Sequence, residues 1–222
     1  MTSFYGTAVG RKATMAVSGF VVVGWLFAHM LGNVAIFAGR DSYNAYAAFL
    51  ADRPPLLWGQ RIVLLGALAI HIHAAISLWA KSERARPVGY AKRTWLTTDY
   101  GARSMRWGGV TLLAFTVYHV LQTTVGTTAH LGYAFVQRDV YNNTVQGFMH
   151  GWVSAFYLLA MASLGLHLYH GVWSMTQSLG VEHPRYDKLR HGLAWGLTLA
   201  IVAGFSTLPI AVLLGVLKPD FS

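Results

Sequence analysis

Five long runs of this chain contain no Asp, Glu, Lys or Arg: residues 13–39, 62–80, 107–137, 140–181 and 192–217. A helix that crosses a bilayer needs about 20 mostly apolar residues, because the hydrocarbon core offers no water to charges or free backbone groups. Each run can hold one crossing. The run 140–181 has room for two, but Tyr141, Asn142, Asn143, Thr144 and Gln146 make its first third polar. It is therefore read as one long helix starting near Phe148. The expectation is an all-α integral membrane protein, a single domain over 1–222, with five helices at about 13–38, 57–81, 106–128, 148–177 and 192–217. The opening residues do not read as a cleaved signal peptide, since the first apolar run is too long and no small-residue cleavage site follows it.

Composition supports the same reading. Only 11% of residues are charged, against roughly 25% in a soluble domain. Mean hydropathy is +0.43, which excludes both a soluble globule and a disordered chain. The absence of cysteine rules out a disulfide framework, thiolate metal sites, cysteine-ligated iron–sulfur clusters and covalently attached haem. Lys and Arg are distributed unevenly between the two sides. Arg11 and Lys12 precede the first helix, Lys81, Arg84, Arg86, Lys92, Arg93, Arg103 and Arg106 fill the connection between helices 2 and 3, and Arg185, Lys188 and Arg190 separate helices 4 and 5. The other side has Arg40, Arg53, Arg61, Arg138 and Lys218. By the positive-inside rule the N-terminus is cytoplasmic and the C-terminus outside. The net charge of +9 is then a cytoplasmic rim facing anionic lipid or a soluble partner, and nucleic acid need not be invoked.

Six histidines fall inside the expected spans: His29, His71, His73, His119, His167 and His170; His150 stands at an entrance. Ionisable residues at membrane depth are costly and usually face the bundle interior or a functional site. At about 1.5 Å rise per residue, His29 and His119 lie in the outer half, roughly 24 and 18 Å above the starts of their helices. Helices 2 and 4 run inward and place His71 and His167 roughly 20 and 28 Å down, in the inner half. Two facing imidazoles at one level of a four-helix bundle suit bis-histidine haem, and two levels suit two haems in series across the membrane. Helices 1–4 would form the haem-binding bundle. His73 competes with His71, from which it points about 200° away. His170 competes with His167, whose helix face it shares. Gly19, Gly24, Gly32, Gly151, Gly165 and Gly171 would admit a flat macrocycle, or would serve ordinary small-residue helix packing.

In residues 8–33 (AVGRKATMAVSGFVVVGWLFAHMLGN) the chain resembles the single-chain, five-helix cytochrome b subunit of succinate dehydrogenase/fumarate reductase. The resemblance continues through YNAYAAFL (43–50), ARPVGY (85–90), RSMRWGG (103–109), FTVYH (115–119), HLYHGVWSMTQSLG (167–180) and LPIAVLLGVL (208–217). It implies a membrane anchor in the bacterial cytoplasmic membrane that holds two haem b groups. The anchor would dock a flavoprotein subunit and an iron–sulfur subunit on the cytoplasmic face and pass electrons to a quinone, commonly menaquinone. A higher oligomer of the complex is compatible with it. The family's ligand positions match His29, His71, His119 and His167, which leaves His170 a propionate or quinone-pocket role.

The chain would be the quinone-reacting subunit of an enzyme whose succinate chemistry resides elsewhere, since it has no flavin or nucleotide fingerprint. Arg11 and Arg106 on the inside and Arg61 on the outside are candidate propionate partners, or anchors reaching the headgroups. Quinone reduction needs donors to its carbonyl oxygens. The outer candidates are Asn33, Tyr43, Asn44, Gln60, Arg61 and Gln122; the inner ones are Ser18, His170, Ser174 and Gln177. No carboxylate lies within any run, so a buried carboxylate proton wire is not expected. Competing readings are a di-haem cytochrome b of another respiratory enzyme, a histidine-lined metal transporter, and a haem-free structural anchor.

Overall fold

A computed structural model describes residues 4–85 and 100–221, without the side chains of 101 and 102. Arg86, Lys92, Arg93 and most of the 85–90 segment lie outside the described residues. The described residues form seven α-helices and no strands: α1 (Ala8–Val34), α2 (Arg40–Ala51), α3 (Pro54–Arg84), α4 (Tyr100–Val120), α5 (Val140–Met149), α6 (Gly151–Ser178) and α7 (Asp187–Leu213). Four stretches are long and apolar enough to cross a membrane: Ala8–Ala38, Pro54–Arg84, Gly151–Ser178 and Pro184–Leu213. This is consistent with a multi-pass membrane protein. Their outward faces are strongly apolar, with Phe20, Ile62, Leu65, Leu189 and Leu199 all more than half exposed. Apolar surface on that scale needs lipid or protein to cover it.

Local chemistry sets the helix boundaries. Thr7 caps α1 by accepting from the Gly10 amide at 2.9 Å, so the helix starts five residues before the expected 13. Arg11 and Lys12 therefore lie within α1 rather than before it. Pro54 opens α3, where a missing N–H costs nothing. The expected helix at 106–128 instead runs over Tyr100–Val120 and widens into a π-helical turn at Leu121–Val125. Gly126, at φ +79°, takes the left-handed conformation that stops it. Arg103 and Arg106 near its start, and Gln122, Thr123 and Thr124 near its end, keep α4 below the apolarity of the other four stretches.

Two helices were not expected. α2 and the polar α5 lie at the end of the bundle where α1, α4 and α7 finish. α5 is separated from α6 by an extended residue, His150 (ψ 108°), so the polar start of the 140–181 run is a helix of its own. α6 packs along α7 and α4, α1 packs along α3, and α1 also meets α6 and α7. One buried cluster, including Ile36, Tyr43, Val145, Phe148, Tyr157 and Val212, fills the α2–α5 end. A second, around Ala160, Met161, Leu164 and Ile201, fills the middle of the α6–α7 seam.

Candidate functional site

Four of the histidines meet in two pairs. His29 of α1 faces His119 of α4 with ring centres 6.0 Å apart and ring planes crossing at 75°. His71 of α3 faces His167 of α6 at 6.2 Å and 61°. The first pair lies toward the α2–α5 end and the second toward the opposite end, the grouping expected from helix rise. Two imidazoles binding one metal from opposite sides, at ~2.0 Å per bond, hold their ring centres roughly 6 Å apart. The donor set at each level therefore suits a metal held between two imidazoles.

The environment of each ring also bears on ligation. His71 Nδ1 lies 3.1 Å from the Met15 carbonyl, an acceptor only, so this nitrogen carries the proton and leaves the Nε2 lone pair available. His119 Nδ1 lies 3.1 Å from the Tyr157 hydroxyl. Trp25 stacks on His29 at 4.6 Å, and Phe205 lies 5.6 Å away. Asn33 Nδ2 bonds the His29 carbonyl at 2.8 Å and approaches the ring nitrogens at 3.3 and 3.4 Å. The Nδ1 of His167 is buried with no protein partner among the described residues. Gly19 keeps the way clear for His71, since a Cβ there would sit 3.3 Å from the imidazole Cε1.

The two sequence ambiguities resolve differently. His73 is exposed and bonds the Tyr5 hydroxyl, away from the His71–His167 pair. His170 stays on the bundle side of α6 but packs against Trp173 at 5.9 Å, while His167 meets the partner helix.

The remaining predicted site residues are dispersed. Arg106 is half exposed, bonds Glu83 at 2.7 Å and covers Trp79. Arg11 donates to the Tyr5 carbonyl at 3.2 Å, and Arg61 lies over Trp58 at 5.2 Å. Ser174 is half-buried near the end of α6, and its carbonyl accepts from Ser178. Ser18 is buried but bonded within its own helix to the Thr14 carbonyl. Gln177 reaches Glu182 at 3.4 Å. Asn33 accepts from the Tyr43 hydroxyl at 3.0 Å; burial, slightly offset by a hydrogen bond from Thr144, pushes that hydroxyl up to about 12, so it remains a donor. Gln122 is 5% exposed, and both ends of its amide are engaged, by Tyr157 and by Tyr133.

Sequence reasoning missed Asp139. Its carboxylate accepts from Arg40 at 3.2 Å, Asn44 at 3.0 Å and Asn142 at 2.8 Å, and it caps α5 through the Asn142 amide. Burial alone would raise this carboxyl, but the bonds from Asn44, Asn142 and Arg40 hold it down at about 2. The one available signal was an acidic residue directly before a helix-compatible polar run.

Compared with known protein families, with characterised proteins and with solved structures, the chain matches none.

Proposed function

We propose that this chain is the membrane-anchoring, di-haem b subunit of a succinate:quinone oxidoreductase, as its resemblance to that family implies. The observation that carries the proposal is the meeting of histidines in two pairs, each drawn from two helices that run in the same direction, one pair from α1 and α4 and the other from α3 and α6. His29 with His119, and His71 with His167, would hold the iron of one haem at each level, whereas a bare transported ion would need further protein ligands beside each pair. In this reading α4 is the fifth span, the N-terminus is cytoplasmic, and the His71–His167 pair lies on the cytoplasmic side.

Haem b, when bound, supplies a one-electron carrier at each level. The chain's own residues set how it is held. His29 with His119, and His71 with His167, would supply the imidazole donors at the two levels. Trp25, Phe115 and Phe205 surround the outer pair with low-dielectric rings. The basic cytoplasmic end, where Arg11, Lys81 and Arg84 line a groove between α1 and α3, offers a docking face for an iron–sulfur partner and its flavoprotein. Quinone would exchange two electrons and two protons at a headgroup-level site. Asn33 and Gln122 have their amides engaged, which leaves Gln60 and Arg61 as the stronger outer candidates and His170 and Ser174 as the inner ones.

Pyridine haemochrome quantitation and redox titration of the purified chain test the proposal. The expected result is two haems per chain and two midpoints, with His29→Ala and His119→Ala removing the same component. A chain that binds no haem overturns it. Co-purification with a molybdenum or nickel enzyme instead of a flavoprotein would overturn the assignment of the complex.

A further inference from the structure

A directed hydrogen-bond chain leaves His119 and ends on the backbone of α5. The Asn143 carbonyl can only accept, and the Tyr133 hydroxyl donates to it at 3.1 Å. Tyr133 has one hydroxyl hydrogen, so toward the Gln122 amide nitrogen beside it, across the space that Gly147 leaves open, its oxygen can only accept. That turns Gln122 Oε1 toward Tyr157, whose hydroxyl donates to it at 3.0 Å. Tyr157 then has no hydrogen left for His119. The 3.1 Å contact is therefore His119 Nδ1–H donating to the Tyr157 oxygen, and the lone pair is on Nε2. Tyr157 and Gln122 are 8% and 5% exposed, so no solvent competes for these bonds. Two local features make room. The π-helical turn carries Gln122, and Gly147 of α5 faces its amide, where a Cβ would come within 2.5 Å of Nε2. π-turns of this kind recur at functional sites.

The geometry points to Tyr157, Gln122 and Tyr133 as positioning residues that hold His119 in the Nδ1–H tautomer and raise the basicity of its Nε2. The inference rests on the reading of His119 as a haem ligand only for its electrochemical consequence; the tautomer follows from the protein alone. An acceptor on the distal N–H of a ligating imidazole makes it a stronger donor and favours ferric iron, which lowers the potential. Among the described residues the His71–His167 pair has no such chain of side chains, and His71 Nδ1 is held by the Met15 backbone carbonyl.

Nitrogen-15 NMR of the imidazoles in the haem-free chain, together with redox titration of the loaded chain, tests this. Wild-type His119 is expected to be the Nδ1–H tautomer, and Tyr157→Phe is expected to give a mixture. In the loaded chain, Tyr157→Phe raises the midpoint of the component that His119→Ala removes and leaves the other unmoved, at unchanged haem content. Tyr133→Phe, which frees the polarity of the chain, gives a smaller shift in the same direction. Tyr118→Phe deletes a buried hydroxyl with no partner among the described residues and shifts neither midpoint. An Nε2–H tautomer in the wild type, or Tyr157→Phe with unchanged tautomer and midpoints, overturns the inference. A wild-type chain without haem overturns the ligand reading, and the tautomer measurement still decides this one. Should Tyr157→Phe fail to accumulate, the wild-type tautomer decides alone.

Discussion

Arg40 and Asp139 are 99 residues apart in sequence, yet the guanidinium Nη2 lies 3.2 Å from the carboxylate and joins the start of α2 to the start of α5. Asn44 and Asn142 complete the carboxylate's shell, and Asn142 in turn bonds the Asp220 backbone. One acidic residue thus ties two short helices and the C-terminal segment into a cap over the bundle end. Asp139→Asn should cost about 1–3 kcal/mol, the range for losing hydrogen bonds to a charged group. Its carboxyl is depressed to about 2, so its contribution is complete above the ordinary carboxylate range and is lost as pH falls through about 2. The difference in thermal unfolding between wild type and Asp139→Asn should be constant from about pH 8 to 5 and collapse between about pH 4 and 2. A difference that does not depend on acid would remove the charge from this account.

The pairing of His71 rather than His73 with His167 makes a sharp contrast available. His73→Ala removes a ring that is exposed and bonded to Tyr5, so both haem components should remain. His71→Ala should remove the component that His167→Ala removes. Gly19→Val acts on the same level without replacing a histidine. A Cβ at Gly19 already lies 3.3 Å from His71, and branching there forces the ring away from His167. Redox titration should show the inner component lost or shifted and the outer one retained. An effect confined to the outer component would contradict the layer assignment.

Gly147→Ala probes the α5 end of the bundle. Its Cβ would overlap Gln122 Nε2 and crowd the Tyr133 hydroxyl, which is 3.2 Å away. Either the amide withdraws and leaves buried polar groups unpaired, or α5 moves off α4. Each route should cost about 1–3 kcal/mol, visible as a lowered unfolding midpoint of the purified chain. Gly109→Ala, which meets nothing within 4 Å, is the control and should leave stability unchanged or slightly raised.

Four membrane-length helices and the pairing of the histidines could be read from the sequence because both depend on one-dimensional quantities. A charge-free run has a length, and a residue within it has a depth. His29 with His119 and His71 with His167 follow from helix rise and direction alone, and the same arithmetic cannot choose between His71 and His73. That choice depends on helix rotation, which the Met15 carbonyl and Tyr5 settle through contacts 56 and 68 residues away in sequence. α2 and α5 were missed because their stability is tertiary. Both are too short to span a membrane, and Asp139, Arg40 and Asn44 hold them together only once folded. Tyr157 was missed for the opposite reason: it stands in an apolar stretch of α6 (Val153, Phe156, Leu158) and reads as core until its hydroxyl is seen beside His119. The π-turn at Leu121–Val125 has no sequence signature of its own, although it decides where Gln122 lies.

Whether α4 crosses the membrane can be tested by labelling, because the chain has no cysteine and introduced ones report without background. Ser42, at the start of α2, and Ser82, at the end of α3, are both exposed and stand at opposite ends of the 31-residue helix α3. Gln137, also exposed, follows α4 and precedes α5. If α4 spans, Gln137 shares a side with Ser42; if it does not, Gln137 shares a side with Ser82. The proposed orientation adds that the shared side is external, because Lys81, Arg84, Arg103 and Arg106 gather at the other. In intact cells, a membrane-impermeant maleimide should therefore label Ser42→Cys and Gln137→Cys and spare Ser82→Cys until the membrane is permeabilised. Labelling of Ser42→Cys alone would mean that α4 does not cross, and would separate His119 from the bundle side on which it meets His29. Labelling of Ser82→Cys alone would keep five crossings and reverse the orientation, and labelling of Ser82→Cys together with Gln137→Cys would reverse it and remove the α4 crossing.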